Sequence, residues 1–165
     1  MTTENPALPP GRFDDRRALL RLSPAECAEF LAAPRTMIVA SYGPGGWPHQ
    51  VAVFYVMDGA RPVFWSYRKA QKIRNLQRDP RVSCLVEDGT LHYELRGVQL
   101  RGHAVVSEDP DLIERTWQQL TRKYRGPITP AERANFERQA YRRCVVTVEV
   151  EHTASWDHRK LAQTT

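Results

Sequence analysis

The feature that most constrains the fold is a succession of short apolar stretches, each closed by a turn. "TMIVASY" runs into "GPGG", "WPHQVAVFYVM" into "DGARP", and "RVSCLVED" into "DGT", while "VFWSY" leads into a stretch of helical spacing. Glycine, proline and aspartate at such intervals punctuate strands, and strands joined by tight turns pair antiparallel. "LHYELRGVQLRGHAVVSE" reads as a long fifth strand, with Gly97 and Gly102 as the places where it can break, and "CVVTVEVEHTASW" as the last strand. Six strands with one long, glycine-interrupted member predict a closed antiparallel barrel, because closure removes exposed sheet edges.

Helices flank these strands. "SPAECAEFLAA" opens with Ser23 as N-cap, Pro24 at the first helical position and Glu26 completing a capping box; Phe30 and Leu31 face inward and Pro34 ends it. "AQKIRNLQRD" carries a short apolar stripe, Ile73 and Leu76, and stops at Pro80. "DPDLIERTWQQLTRKYRG", with Asp109 as cap, and "TPAERANFERQAYRR" are two further helices. The fold class expected is mainly β with flanking helices. One domain over residues 23–165 follows an irregular tail over residues 1–22.

Several functions are excluded. No apolar run approaches the ~18 residues of a membrane-spanning helix, and the N-terminus lacks the apolar core of a signal peptide. The expectation is a cytoplasmic protein with no membrane partner. Cys27, Cys84 and Cys144 lie far apart and form no C-x-x-C motif, and the five histidines show no ligand spacing, so no metal is expected. The two later cysteines sit in apolar runs and read as core. Lysine and arginine number 24 against 19 acidic residues. The arginines are spread over helices and turns without an aromatic-basic motif, so nucleic acid is not the expected partner.

The charge is concentrated in "FWSYRKAQKIRNLQRDPRV", residues 64–82, where Arg68, Lys69, Lys72, Arg74, Arg78 and Arg81 follow a strand. A strand that delivers the chain into a helix start makes an anion site, because the first helical N–H groups are unpaired and the dipole favours negative charge. Ser66 adds a hydroxyl, Lys69 and Lys72 flank the first turn, and Asn75 follows Lys72 at i, i+3. The same run also suits a solvated amphipathic face, and charge alone does not choose between them.

"KIRNLQRDPRVSCLVED" after "VFWSY" resembles the flavin-binding split-barrel superfamily of pyridoxamine 5′-phosphate oxidase-like proteins. Within it, "NLQRDPRV" is similar to the oxidoreductases that use the deazaflavin coenzyme F420. "RTMIVASYGPGGWPH", "LRGVQLRGHAVV" and the ending "SWDHRKL" extend the resemblance over roughly residues 23–161. It implies a six-stranded antiparallel split β-barrel and a homodimer with the cofactor between subunits. It also implies cofactor-binding positions. Trp65 and Ser66 lie beside the ring and ribityl chain, Lys72 grips the phosphate, and the backbone of Gln50, Val51, Ala52 and Val53 faces the ring edge. Trp156 and Arg159 reach across the dimer.

The departures narrow the reading. Gln71 stands where the oxidases carry a phosphate-binding arginine, leaving Lys69 or Arg68 to substitute, and Gly97 stands where they offer a glutamine. The second strand lacks the oxidases' substrate lysine, so a true pyridoxamine phosphate oxidase is not expected. Fewer phosphate donors with more lysine and arginine nearby suit the carboxylate-bearing tail of F420. The expected function is F420-dependent hydride transfer to a small organic acceptor. The alternatives are an FMN-dependent oxidoreductase of the same fold, or a non-catalytic carrier of a flavin, F420 or a tetrapyrrole. Tyr55, Tyr67, His49 and His158 are the candidate proton donors, each with ordinary packing or surface exposure as its competing reading, and Trp47 and Trp65 are candidates to wall the ring, with simple core packing as theirs.

Overall fold

The computed structural model describes residues 17–162. Its order is α1 (Pro24–Ala32), β1 (Thr36–Tyr42), β2 (Pro48–Phe54), β3 (Val56–Asp58), β4 (Arg61–Tyr67), α2 (Gln71–Arg78), β5 (Arg81–Asp88), β6 (Arg96–Ser107), α3 (Pro110–Tyr124), α4 (Pro130–Gln139), β7 (Arg143–Asp157) and α5 (Arg159–Ala162). The strands form one antiparallel sheet in the order β2-β1-β5-β6-β7-β4-β3. There are seven strands where six were expected, because "WPHQVAVFYVM" divides at Tyr55 into β2 and β3.

That division closes the barrel. β2 and β3 are the two edges of the sheet, yet only Tyr55 separates them in the chain. The sheet must therefore curl until its edges meet at this residue. Tyr55 is fully buried, and its hydroxyl donates to the Leu31 carbonyl at 2.8 Å. Its N–H donates to the Tyr124 hydroxyl, which lies 2.7 Å from the Arg35 carbonyl and 3.0 Å from that of Tyr55. Lys123 Nζ sits 4.0 Å over the Tyr55 ring and donates to the same Leu31 carbonyl. This seam holds α1, α3 and both sheet edges together.

Alternation sorts the strand residues into two cores. Met37, Val39, Phe64, Cys84, Val98, Cys144, Val146 and Val148 fill the barrel, with Ile73 and Leu76 of α2 and Phe30 and Leu31 of α1 closing it. Val63, Val145, Trp117, Leu120 and Phe136 form a second core, where α3 and α4 cover the outer face of β4 and β7. Trp117 and Phe136 stack at 4.3 Å there, so Trp117 is helix packing. Ser23, Asp109 and Thr129 cap α1, α3 and α4 as the sequence suggests.

β6 does not break at either glycine. At Gly102 the register shifts, because the partner strand carries Glu151 as an extra residue. A Cβ there would lie 1.9 Å from the Glu149 carbonyl, so this bulge requires glycine. Of the tail expected over residues 1–22, residues 1–16 lie outside the described residues. Residues 17–20 form one helical turn, and the Leu22 N–H donates to Ser155 Oγ.

Candidate functional site

The barrel remains split along one line. β3 pairs with β4 only over Arg61–Val63, so Phe64–Tyr67 of β4 have β7 on one side and no strand on the other. β2 likewise pairs with β1 alone. The two strands come within 8 Å between Cα atoms without forming a ladder. Half the backbone N–H and C=O groups of each open edge therefore face a slot between them.

α2 begins at the end of that slot. Its N-cap is Ala70, which offers no side-chain acceptor, in contrast to the caps of α1, α3 and α4. The N–H groups of Gln71 and Lys72 have no intrahelical partner by the geometry of a helix start. Lys72 is half-buried and makes no hydrogen bond or ion pair among the described residues. Burial is the main cause that pulls its pKa below the ordinary 10.5; nearby Cys144 opposes the shift and Arg143 adds to it. Ser66 and Cys144 are register partners facing the barrel interior; Ser66 is a buried residue, but its hydroxyl is not fully enclosed and has no partner among the described residues. Burial pushes the Cys144 thiol up to about 11, so it stays neutral beside Lys72.

The basic run divides into two kinds of residue. Arg68 pairs with Glu108 at 2.8 Å and donates to the Arg143 carbonyl. Arg78 donates to the Tyr42 carbonyl, and Arg81 forks onto Asp79 and stacks on Tyr42. These three are committed to the fold. Lys69, Lys72 and Arg74 carry no such partner among the described residues. Arg68 is thus unavailable as a substitute phosphate donor, while Lys69 is exposed and available.

The other expected positions fall in three places. On β2, Gln50 and Ala52 turn to solvent while Val51 and Val53 are half-buried, on the open edge. Asn75 is fully buried: its amide donates to Ser41 Oγ at 3.2 Å, and its carbonyl oxygen accepts from Gln71 Nε2 at 2.8 Å and from Arg78. Asn75 therefore anchors α2 to β1, and Gln71 is held toward it. Trp65 and Ser66 occupy opposite faces of β4. The Trp65 ring turns outward to Phe136 and lies under the Arg143 guanidinium at 4.2 Å.

Trp156 and Arg159 lie at the far end of β7. Trp156 is twelve positions from Cys144, about 40 Å of strand, so one chain does not bring them to Lys72. The space over Gly97 is filled by the Trp156 indole, which a Cβ would meet at 2.5 Å. Arg159 forks onto the buried Asp157. His158 bonds the His92 carbonyl, and Trp47 is 80% exposed beyond the slot's strand. Sequence reasoning missed Arg143, whose only signal is its register opposite Tyr67. Its Nε and His49 Nδ1 on β2 are the two buried side-chain polar atoms without a partner among the described residues.

Residues 23–157 match the model of the pyridoxamine 5′-phosphate oxidase family. The chain belongs to that family. A conserved hypothetical protein of Mycobacterium tuberculosis, Rv2991, is 38% identical, with a TM-score of 0.82 over 88% of this chain and 91% of its own. A structure described as an F420 reductase is 26% identical, with a TM-score of 0.64 over 80% and 98% of the two chains. An FAD-binding protein of Mesorhizobium loti, at 20% identity and TM-score 0.62 over 81% and 94%, shares the fold. No curated protein matches. The split barrel is thus the family's flavin-type oxidoreductase fold. The orphaned donors along the slot fit a phosphate-bearing flavin or deazaflavin. No helix among the described residues is long and apolar enough to cross a membrane.

Proposed function

We propose that this chain is an oxidoreductase that binds coenzyme F420 in the split between β2 and β4, with FMN as the alternative cofactor. The observation that carries the reading is the set of unpartnered donors around the uncapped start of α2: Lys69, Lys72 and Arg74, the first helical N–H groups and the Ser66 hydroxyl. Lys72 is half-buried and Ser66 buried, where polar groups are rarely left without a partner, while water serves exposed Lys69 and Arg74 until an anion arrives. The likeness to an F420 reductase supports the deazaflavin over FMN.

Hydride transfer to a small organic acceptor is the chemistry that a deazaflavin or flavin supplies when bound. The chain's own residues bind and orient. Lys72 and the N–H groups of Gln71 and Lys72 hold the phosphate, and an anion there offsets the desolvation that lowers the Lys72 pKa. Exposed Lys69 and Arg74 meet the carboxylates of the coenzyme tail. The open backbone edge of Gln50–Val53 orients the ring, and the neutral Cys144 thiol adds no charge against the phosphate. Trp156 and Arg159 would reach this slot only from a second copy, which supports a homodimer.

Binding of F420 and FMN, followed by fluorescence quenching and thermal shift, tests the reading. F420 is expected to bind more tightly. Lys72→Ala is expected to weaken it roughly tenfold to a hundredfold, the equivalent of the ~1.5–3 kcal/mol of a hydrogen bond to a charged group. FMN preference would select the alternative. Binding of neither, or equal binding by the variant, would return the basic run to a solvated helix face.

A further inference from the structure

The outer face of the barrel carries a second site, away from the slot. The sheet order puts β5 and β6 in the middle, with the edges that flank the split at its two ends. Over the outside of that middle lies a groove of about 510 Å³, lined from β1, β5, β6 and β7. Its volume is that of a pocket for a small organic ligand.

Strand register gathers its side chains. Arg81 pairs with His103 and Ser83 with Arg101, while Val82 between them turns into the barrel, so these four share the outer face. The bulge opposite Gly102 adds two more. Neighbouring residues of a regular strand face opposite ways, yet Glu151 and His152 both line the groove, because Glu151 is the extra residue of the bulge.

The charges of this cluster do not balance. Two guanidiniums and two imidazoles line the groove against one carboxylate, Glu151, which lies 2.6 Å from His103 Nδ1. Arg81 is held in place by its fork onto Asp79 and its stack on the Tyr42 ring at 4.6 Å. Arg101 and His152 are exposed and make no hydrogen bond or ion pair among the described residues. A fixed guanidinium beside a free one offers several donors to the oxygens of one anion. Tyr42 and Pro48 give the groove an apolar wall for the group that carries it.

We propose that this groove binds a small phosphate monoester, its phosphate on Arg101 and Arg81 and its organic group against Tyr42 and Pro48. The site uses neither Lys72 nor the open edge of Gln50–Val53, so it stands whether or not the cofactor reading does.

Phenyl phosphate is the probe and benzoate its carboxylate control, titrated against the full chain by NMR on the imidazole resonances. Of the five histidines, only His103 and His152 line the groove, so they report on it alone. Both are expected to shift saturably with phenyl phosphate, and to do so equally in Lys72→Ala, which removes the lysine at the start of α2. Arg101→Gln, a change at an exposed position, is expected to weaken binding about tenfold with an unchanged melting temperature, the loss of a charge-assisted pair. Benzoate is expected to bind about tenfold more weakly than phenyl phosphate. Resonances of His103 and His152 that do not move, binding undiminished in Arg101→Gln, binding lost in Lys72→Ala, or equal binding of benzoate would each overturn the proposal.

Discussion

The seam at Tyr55 and the start of α2 lie along the same line, where the two edges of the sheet face each other. They treat polar groups in opposite ways. At the seam, the Tyr55 hydroxyl, the Tyr55 N–H, the Tyr124 hydroxyl and Lys123 Nζ all find partners in a closed network. At the α2 start, an alanine cap, the hydroxyl of Ser66 and half-buried Lys72 find none among the described residues. A buried network stabilises when every member is satisfied. One end of the line thus secures the barrel, and the other keeps hydrogen-bonding capacity in reserve.

Breaking the seam should produce the largest effect. Tyr55→Ala is expected to lose about 3–5 kcal/mol, the usual penalty for truncating a buried aromatic, and Tyr55→Phe about 1–2 kcal/mol for the hydroxyl's bond. Urea denaturation measures both. A loss below 1 kcal/mol for the alanine variant would show that the seam does not hold the edges together. Making the α2 start resemble the other helices should give a smaller effect of opposite sign. Ala70→Ser supplies the missing cap, so it is expected to gain about 1 kcal/mol while weakening F420 binding. A gain in stability with unchanged binding would separate the helix start from the cofactor.

The smallest effect is a pH dependence. Burial, with Arg35 second, lowers the Lys123 pKa from 10.5 to about 8. The folded state then binds fewer protons than the unfolded chain between those values, so stability rises as pH climbs from about 8 toward 10.5. Tyr55 works against this at the top of the window. Burial raises its pKa above the ordinary 10.0, so the unfolded chain ionises first and stability falls above that pH. Lys123→Met should flatten the rise between pH 8 and 10, read as melting temperature against pH. A slope identical to that of the unmodified protein would rule Lys123 out as its source.

The strands, turns and caps were legible because each rests on local chemistry: Gly-Pro turns, Ser23 and Glu26, Asp109, Thr129 and Pro130. The break at Tyr55 was not. "VAVFYVM" stays apolar throughout, and the sign of the seam is two successive buried residues, Tyr55 and Val56, whose positions depend on a helix about seventy residues later. The basic run was visible as composition, but its division into committed and unpartnered cations was not, since Glu108 and the Tyr42 carbonyl lie far off in sequence. Asn75 shows the same limit. Its i, i+3 spacing from Lys72 suggested a shared ligand, whereas Ser41 claims its amide.

The place of β7 in the sheet bears on how the protein is made. β4 finds its main partner only in Arg143–Asp157, with Ser66 meeting Cys144 across 78 positions. A ribosome releasing the chain from its N-terminus emits "VFWSY" long before the strand that covers it. Until then β3 is the only strand that can pair with β4, over just three residues. The barrel cannot assemble piecemeal, and its closure waits until Arg143–Asp157 has emerged. In that interval an apolar edge stays open to other nascent chains.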